Sequence, residues 1–166
     1  MLGLKSRIST ATQFLEPHVF WGTRAGRQVF IRLGPDEKLA GGTVMFSNRH
    51  VRHITVLRVG APPFQIEAEG GALRASDESP PEIRGLIRGL TPDPTTWSDT
   101  SVTGGPDGIV AARSFFDGVE NNWVYDLWLC ERIAQLLRLS PLPPKRIGPA
   151  WKVPYGLGGS LTPTGA

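Results

Sequence analysis

The sequence predicts an α+β fold: a mostly antiparallel sheet of about six strands, two helices packed on one face, and an extended Pro/Gly-rich C-terminal tail. Three observations predict it. Short runs of alternating apolar and polar residues recur, separated by turns that contain glycine. Two other segments repeat their apolar residues at helical spacing. Beyond residue 140 the prolines come too often for either element. The expected organisation is an N-terminal arm at residues 1–16, an α+β domain at 17–140 and a tail at 141–166.

In the arm, Leu2, Leu4, Ile8, Ala11 and Phe14 or Leu15 recur at roughly helical spacing, which predicts a short helix packed on its own domain. With Lys5 and Arg7 beside them, peripheral contact with a membrane is the alternative. Strands begin after Pro17. HVFWGTR (18–24) and RQVFIRLG (27–34) flank Ala25-Gly26, a gap short enough for a hairpin. TVMFSN (43–48) reads as a short strand or a turn. In VRHITVLRV (51–59), Val51, His53, Thr55, Leu57 and Val59 share one side. Arg52, Ile54, Val56 and Arg58 share the other. Apolar groups on both sides predict a central strand. A second hairpin is expected over residues 64–76, turning at Gly70-Gly71.

The first helix follows. Ser79 and Glu82 have the spacing of a capping box around Pro80. Ile83, Leu86, Ile87 and Leu90 form one stripe. Gly85 and Gly89 lie off it and each weaken the helix by about 1 kcal/mol relative to Ala. A third hairpin is expected in SVTGGPDGIVAARS (101–114), reversing at GGPDG. The second helix, residues 123–139, is the strongest element. Asn121 or Asn122 can cap it, and Asp126 and Arg138 suit its two ends. Trp123, Leu127, Cys130, Ala134 and Leu137 make a stripe that Val124, Trp128 and Ile133 widen. Apolar residues nearly all round predict burial on more than one side. In the tail, Trp151, Val153, Tyr155 and Leu157 alternate and could lie in a groove or add a strand.

Composition narrows the function without choosing it. The 166 residues suit one domain with a sizeable core. A net charge of +3 is a mild excess, smaller than a nucleic-acid binder usually concentrates on one face. One cysteine, Cys130, makes no internal disulfide and favours a reducing compartment. No apolar run reaches the roughly 18 residues of a membrane span, and no secretory signal is read at the N-terminus. The expected location is cytoplasmic.

Chemistry-bearing residues are few and scattered. His50 and His53 are three apart, so on a strand they point to opposite faces and do not readily share a metal, whereas in a turn they could. No set of ligands has zinc spacing, so no metal and no cofactor is expected. Cys130 sits mid-helix on an apolar stripe, the place of a core residue rather than a nucleophile. Neither a nucleophile elbow nor a phosphate loop occurs. Asp126, among Trp123, Tyr125, Leu127 and Trp128, needs a partner if buried, and an arginine from the strand region would make a structural ion pair.

The leading reading is a non-enzymatic binding or assembly module whose partner is another protein or a second copy. Its expected anchors are Trp123, Trp128, Trp151 and Tyr155, because aromatics dominate interface energetics. The second reading is binding of nucleic acid or another polyanion through an arginine-rich sheet face, with Arg49, Arg52 and Arg58 as contacts. The third is a hydrolase or transferase with a dispersed site, for example His50 or His53 beside a carboxylate or Cys130.

Overall fold

The computed structural model describes residues 3–7, 18–35, 50–116, 123–146, 151–152 and 162–163. Its main body is one antiparallel sheet. The strands in chain order are β1 (Lys5–Arg7), β2 (His18–Arg24), β3 (Arg27–Pro35), β4 (His50–Leu57), β5 (Phe64–Glu69), β6 (Ala72–Ala75), β7 (Thr100–Gly105) and β8 (Gly108–Phe116). Two helices interrupt them, α1 (Pro81–Arg88) and α2 (Trp123–Leu136). Two short strands, β9 (Trp151–Lys152) and β10 (Thr162–Pro163), pair with each other apart from the sheet.

The eight strands lie in the order β1-β2-β3-β4-β8-β7-β5-β6. A meander of four strands is thus extended by β8, and the β7–β8 hairpin fills the gap between β4 and β5. β4 is central, as its two-sided apolar pattern requires. The eighth strand was not expected. Lys5–Arg7 pairs with β2 at the sheet edge, where helical spacing had predicted an arm helix. Three residues carry too little pattern to announce a strand, while the open edge of β2 supplies hydrogen-bonding partners whatever the side chains are. Residues 1–2 and 8–16 of that arm, the 43–48 segment and the Asn121 or Asn122 cap lie outside the described residues.

The three hairpins fall where the turn residues place them. Ala25 and Gly26 take φ of 48° and 74° between β2 and β3, the doubly positive turn that matches strand twist. Gly70 and Gly71, at 60° and 82°, do the same between β5 and β6. Pro106-Asp107 turns β7 into β8.

Alternation then sorts the strand residues into two clusters. Val29, Ile31, Leu57, Phe64, Ile66, Val102, Ile109 and Ala111 share a buried core with Ile83 and Ile87 of α1 and with Leu127, Leu129, Cys130, Ile133 and Ala134 of α2. The intervening residues Val19, Phe30, Ile54 and Val56 make a second cluster with Trp21 and Val110 beside it. Burying each large side chain stabilises the fold by about 1.5–3 kcal/mol at most.

Both helices end differently from their sequence signals. Ser79 does not cap α1. Its hydroxyl bridges the backbone of Gln65, donating to the carbonyl and accepting from the N–H at 3.3 Å each, and meets Ser76 Oγ at 2.9 Å. Pro80 holds the N-cap position with no side-chain bond. At the end of α2, Arg138 takes φ 52°, Leu139 N–H donates to Ala134 O at 2.9 Å and Arg138 N–H to Gln135 O at 3.1 Å. That is a Schellman termination, so Arg138 lies just beyond the helix rather than in its last turn.

The chain after α2 is stitched to the link between β4 and β5. Val59 bridges Pro141, Gly60 N–H donates to Ser140 O at 3.0 Å, and Leu142 N–H donates to Arg58 O at 3.3 Å. Among the described residues no helix is long and apolar enough to cross a membrane.

Candidate functional site

The second helix is where the fold leaves chemistry unspent. At 100° per residue, Asp126, Leu127, Leu129, Cys130, Ile133 and Ala134 fall on one side, and all are buried. The opposite side carries large apolar groups in water: Val124 is 41% exposed, Tyr125 47%, Trp128 44% and Leu136 37%. Arg132 and Gln135 share that side and are exposed. Burial of the helix on more than one side, expected from its apolar girth, is therefore corrected: one side is packed and the other faces out.

Two ion pairs hold it in this orientation. Asp126, 0% exposed, receives both arms of the Arg113 fork, Nη2 to Oδ1 at 2.7 Å and Nε to Oδ2 at 3.1 Å. Arg113, on β8 and 1% exposed, also donates through Nη1 to the Thr96 carbonyl, and its guanidinium lies 5.8 Å from the Trp97 ring centre. Trp97 meets Tyr125 edge-on, with centroids 6.2 Å apart. Burial pushes the Asp126 carboxyl up, and the two hydrogen bonds and charge of Arg113 pull it back. The paired-fork geometry is that of two ionised groups. At one edge of the packed side Glu131 accepts from Arg24 Nε at 2.6 Å. That pair is half in water, and the hydrogen bond to Glu131 raises the Arg24 guanidinium.

The expected site residues that are described fall on several elements. Trp123 opens α2, and Trp128 stands on its outer side. Trp151 lies on β9 opposite Pro163, while Tyr155 and Arg49 fall outside the described residues. Arg52 sits on β4 between Gly34 and Ser114. Arg58 is buried: its Nε donates to Gln28 Oε1 and its Nη2 to the Pro143 carbonyl, each at 3.2 Å. Burial lowers its guanidinium, and Asp107 raises it. Val124 and Trp128, expected to widen the packed stripe, face outward instead, and Tyr125 and Leu136 were not expected as contacts, although the apolar girth of the helix was the signal that could have named them.

His53 and Cys130 are both enclosed. His53 lies opposite Arg113 on the neighbouring strand, and burial, then the Arg113 charge, push it down to about 3. Burial, then Asp126 and Glu131, push the Cys130 thiol well up, which leaves little thiolate at neutral pH. Among the described residues no three His, Cys, Asp or Glu side chains converge on a metal position. No family model matches the chain, and neither a curated protein nor a solved structure does.

Proposed function

We propose that this chain is a non-enzymatic assembly module that pairs with a second copy of itself through the outer side of α2. In this reading both helices back one face of the sheet, and the face of α2 turned away from the sheet is the contact surface. The observation that carries it is the row Val124, Trp128, Arg132 and Leu136, spaced four apart on the exposed side.

That row is self-complementary. A two-fold axis through the middle of an antiparallel helix pair sets Val124 against Leu136 of the other copy and Trp128 against Arg132. Apolar thus meets apolar and indole meets guanidinium, a pairing worth about 0.5–2 kcal/mol. Trp128 and Arg132 stand nearest the axis, where interface residues matter most.

Sedimentation velocity over a range of concentrations tests this. The wild type should show a reversible monomer–dimer equilibrium. Trp128→Glu should weaken it by at least about 2 kcal/mol, and at dilutions where the wild type is monomeric the two melting temperatures should agree, because the side chain is exposed in the single chain. A wild type that stays monomeric at every concentration, or a dimer indifferent to Trp128→Glu, overturns the reading.

A further inference from the structure

At the β1 end of the sheet, on the side of the second cluster, Lys5 lies opposite Trp21 and Thr23 opposite Gln28. Gln28 does what a strand would do for the chain after α2. Its Oε1 accepts from the Lys145 N–H at 3.0 Å, and its Nε2 donates to the Lys145 carbonyl at 2.6 Å. Arg58 supports this from behind by donating to Gln28 Oε1 and to the Pro143 carbonyl. Residues 142–145 are therefore fixed through their backbone, and the side chains of Lys145 and Arg146 remain uncommitted to that task.

The result is a cleft of about 400 Å³ bordered by Gly3, Lys5, Trp21, Gln28, Lys145 and Arg146. Its size lies within the range of small-molecule sites. Three cations line it and no carboxylate does. None of the three belongs to an ion pair among the described residues. Three like charges around one hollow repel unless an anion fills it. The indole supplies a second contact. Trp21 is half-buried against Val19, Phe30, Ile54 and Val56, so its ring is held by the sheet while it borders the cleft. Gly3, at φ 67° with open space where a Cβ would stand, adds no side chain to obstruct it.

An anchored aromatic plane beside a compact group of cations matches a ligand with a planar ring at one end and several negative charges at the other. We propose that this cleft binds a nucleoside polyphosphate, with the base against Trp21 and the phosphates among Lys5, Lys145 and Arg146. The site is independent of the α2 surface, so neither proposal depends on the other.

Calorimetric titration of the full chain with ADP, inorganic pyrophosphate and adenosine, at low and then at raised salt, tests it. ADP should bind saturably and more tightly than pyrophosphate or adenosine, with an affinity that falls as salt rises. Lys145→Glu should weaken ADP by about tenfold, and its melting temperature should not move because Gln28 grips the Lys145 backbone. Lys5→Glu, on the exposed edge strand, should weaken it similarly. Absence of saturable ADP binding overturns the site, as does ADP affinity unchanged in both variants. Pyrophosphate binding as tightly as ADP overturns the assignment to a nucleotide.

Discussion

Replacing Asp126 by asparagine should be among the most damaging near-isosteric changes available to this chain. The side chain keeps its size, and one oxygen can still accept a bond from Arg113. The charge is what disappears. Arg113, 1% exposed, is then left with a carbonyl and an aromatic face but no counter-ion. Breaking a buried pair from one side costs about 3–5 kcal/mol, because the remaining ion cannot recover its hydration. A domain of this size has about 5–15 kcal/mol in all. At about 2–4 °C per kcal/mol, the melting point should fall by roughly 6–20 °C.

Urea unfolding followed by far-UV circular dichroism measures the loss directly. The control is the double variant Arg113→Met/Asp126→Leu, which removes both charges and fills the space. It should cost far less than the two single changes summed, since no ion is stranded. An Asp126→Asn midpoint within about 1 kcal/mol of wild type, or a double variant equal to the sum of the singles, would refute the account of Arg113 and Asp126 as a desolvated pair.

Three further outcomes follow from single residues. His53, pushed down from 6.5 to about 3, gains its proton in the unfolded chain first. Stability should therefore drop as pH falls from 6.5 towards about 3, by up to about 1.4 kcal/mol per pH unit, and His53→Asn should remove that part of the slope in pH-resolved urea titrations. Gly104 faces Phe64 across the β5–β7 pair, and a Cβ there would run into the ring and stand 2.6 Å from the Pro62 carbonyl oxygen. Gly104→Ala should cost about 1–3 kcal/mol by calorimetry, and a neutral effect would mean the ring does not lie over the glycine. Arg138 holds φ 52° at the Schellman end of α2, so Arg138→Gly should raise stability by about 1 kcal/mol, whereas a loss would show the side chain has a contact that matters more than its backbone.

The hairpins were legible because each announces itself locally, through alternation on both arms and residues able to take positive φ between them. Turn length then fixed register, which explains why Ala25-Gly26 and Gly70-Gly71 sit where the sequence places them. What the chain hid was non-local. Ser79 has the spacing of a cap, yet its hydroxyl is taken by Gln65, fourteen residues earlier. Arg58 alternates with apolar neighbours as an outward residue should. It is buried because residues 141–143, far along the chain, close over it. The partner of Asp126 was foreseeable as a strand arginine, but only the β4–β8–β7 order brings Arg113 beneath the helix rather than any other.

The apolar girth of α2 raises a problem that the two acids solve. A helix that is apolar nearly all round can roll on a sheet with little change in buried area. Asp126 and Glu131 are five residues apart, which places them about 140° apart around the axis. Each meets an arginine, Asp126 with Arg113 on β8 beneath the middle of the packed side and Glu131 with Arg24 on β2 at one edge of it. Leu127, Cys130 and Ala134 lie between the two acids and Leu129 and Ile133 beyond Asp126, all buried, and Trp128 lies on the outward side. The charges therefore set the roll, and the roll decides which aromatic faces water. Cys130, the single thiol, is fully buried and can report on this. In the wild type a thiol-specific aromatic disulfide should label it no faster than global unfolding allows. In Arg113→Met/Asp126→Leu, which keeps the apolar contacts but removes the stronger pin, labelling under native conditions should accelerate and association through Trp128 should weaken together. If labelling and association both stay as in the wild type, packing alone fixes the helix, and the buried pair has no part in presenting the surface.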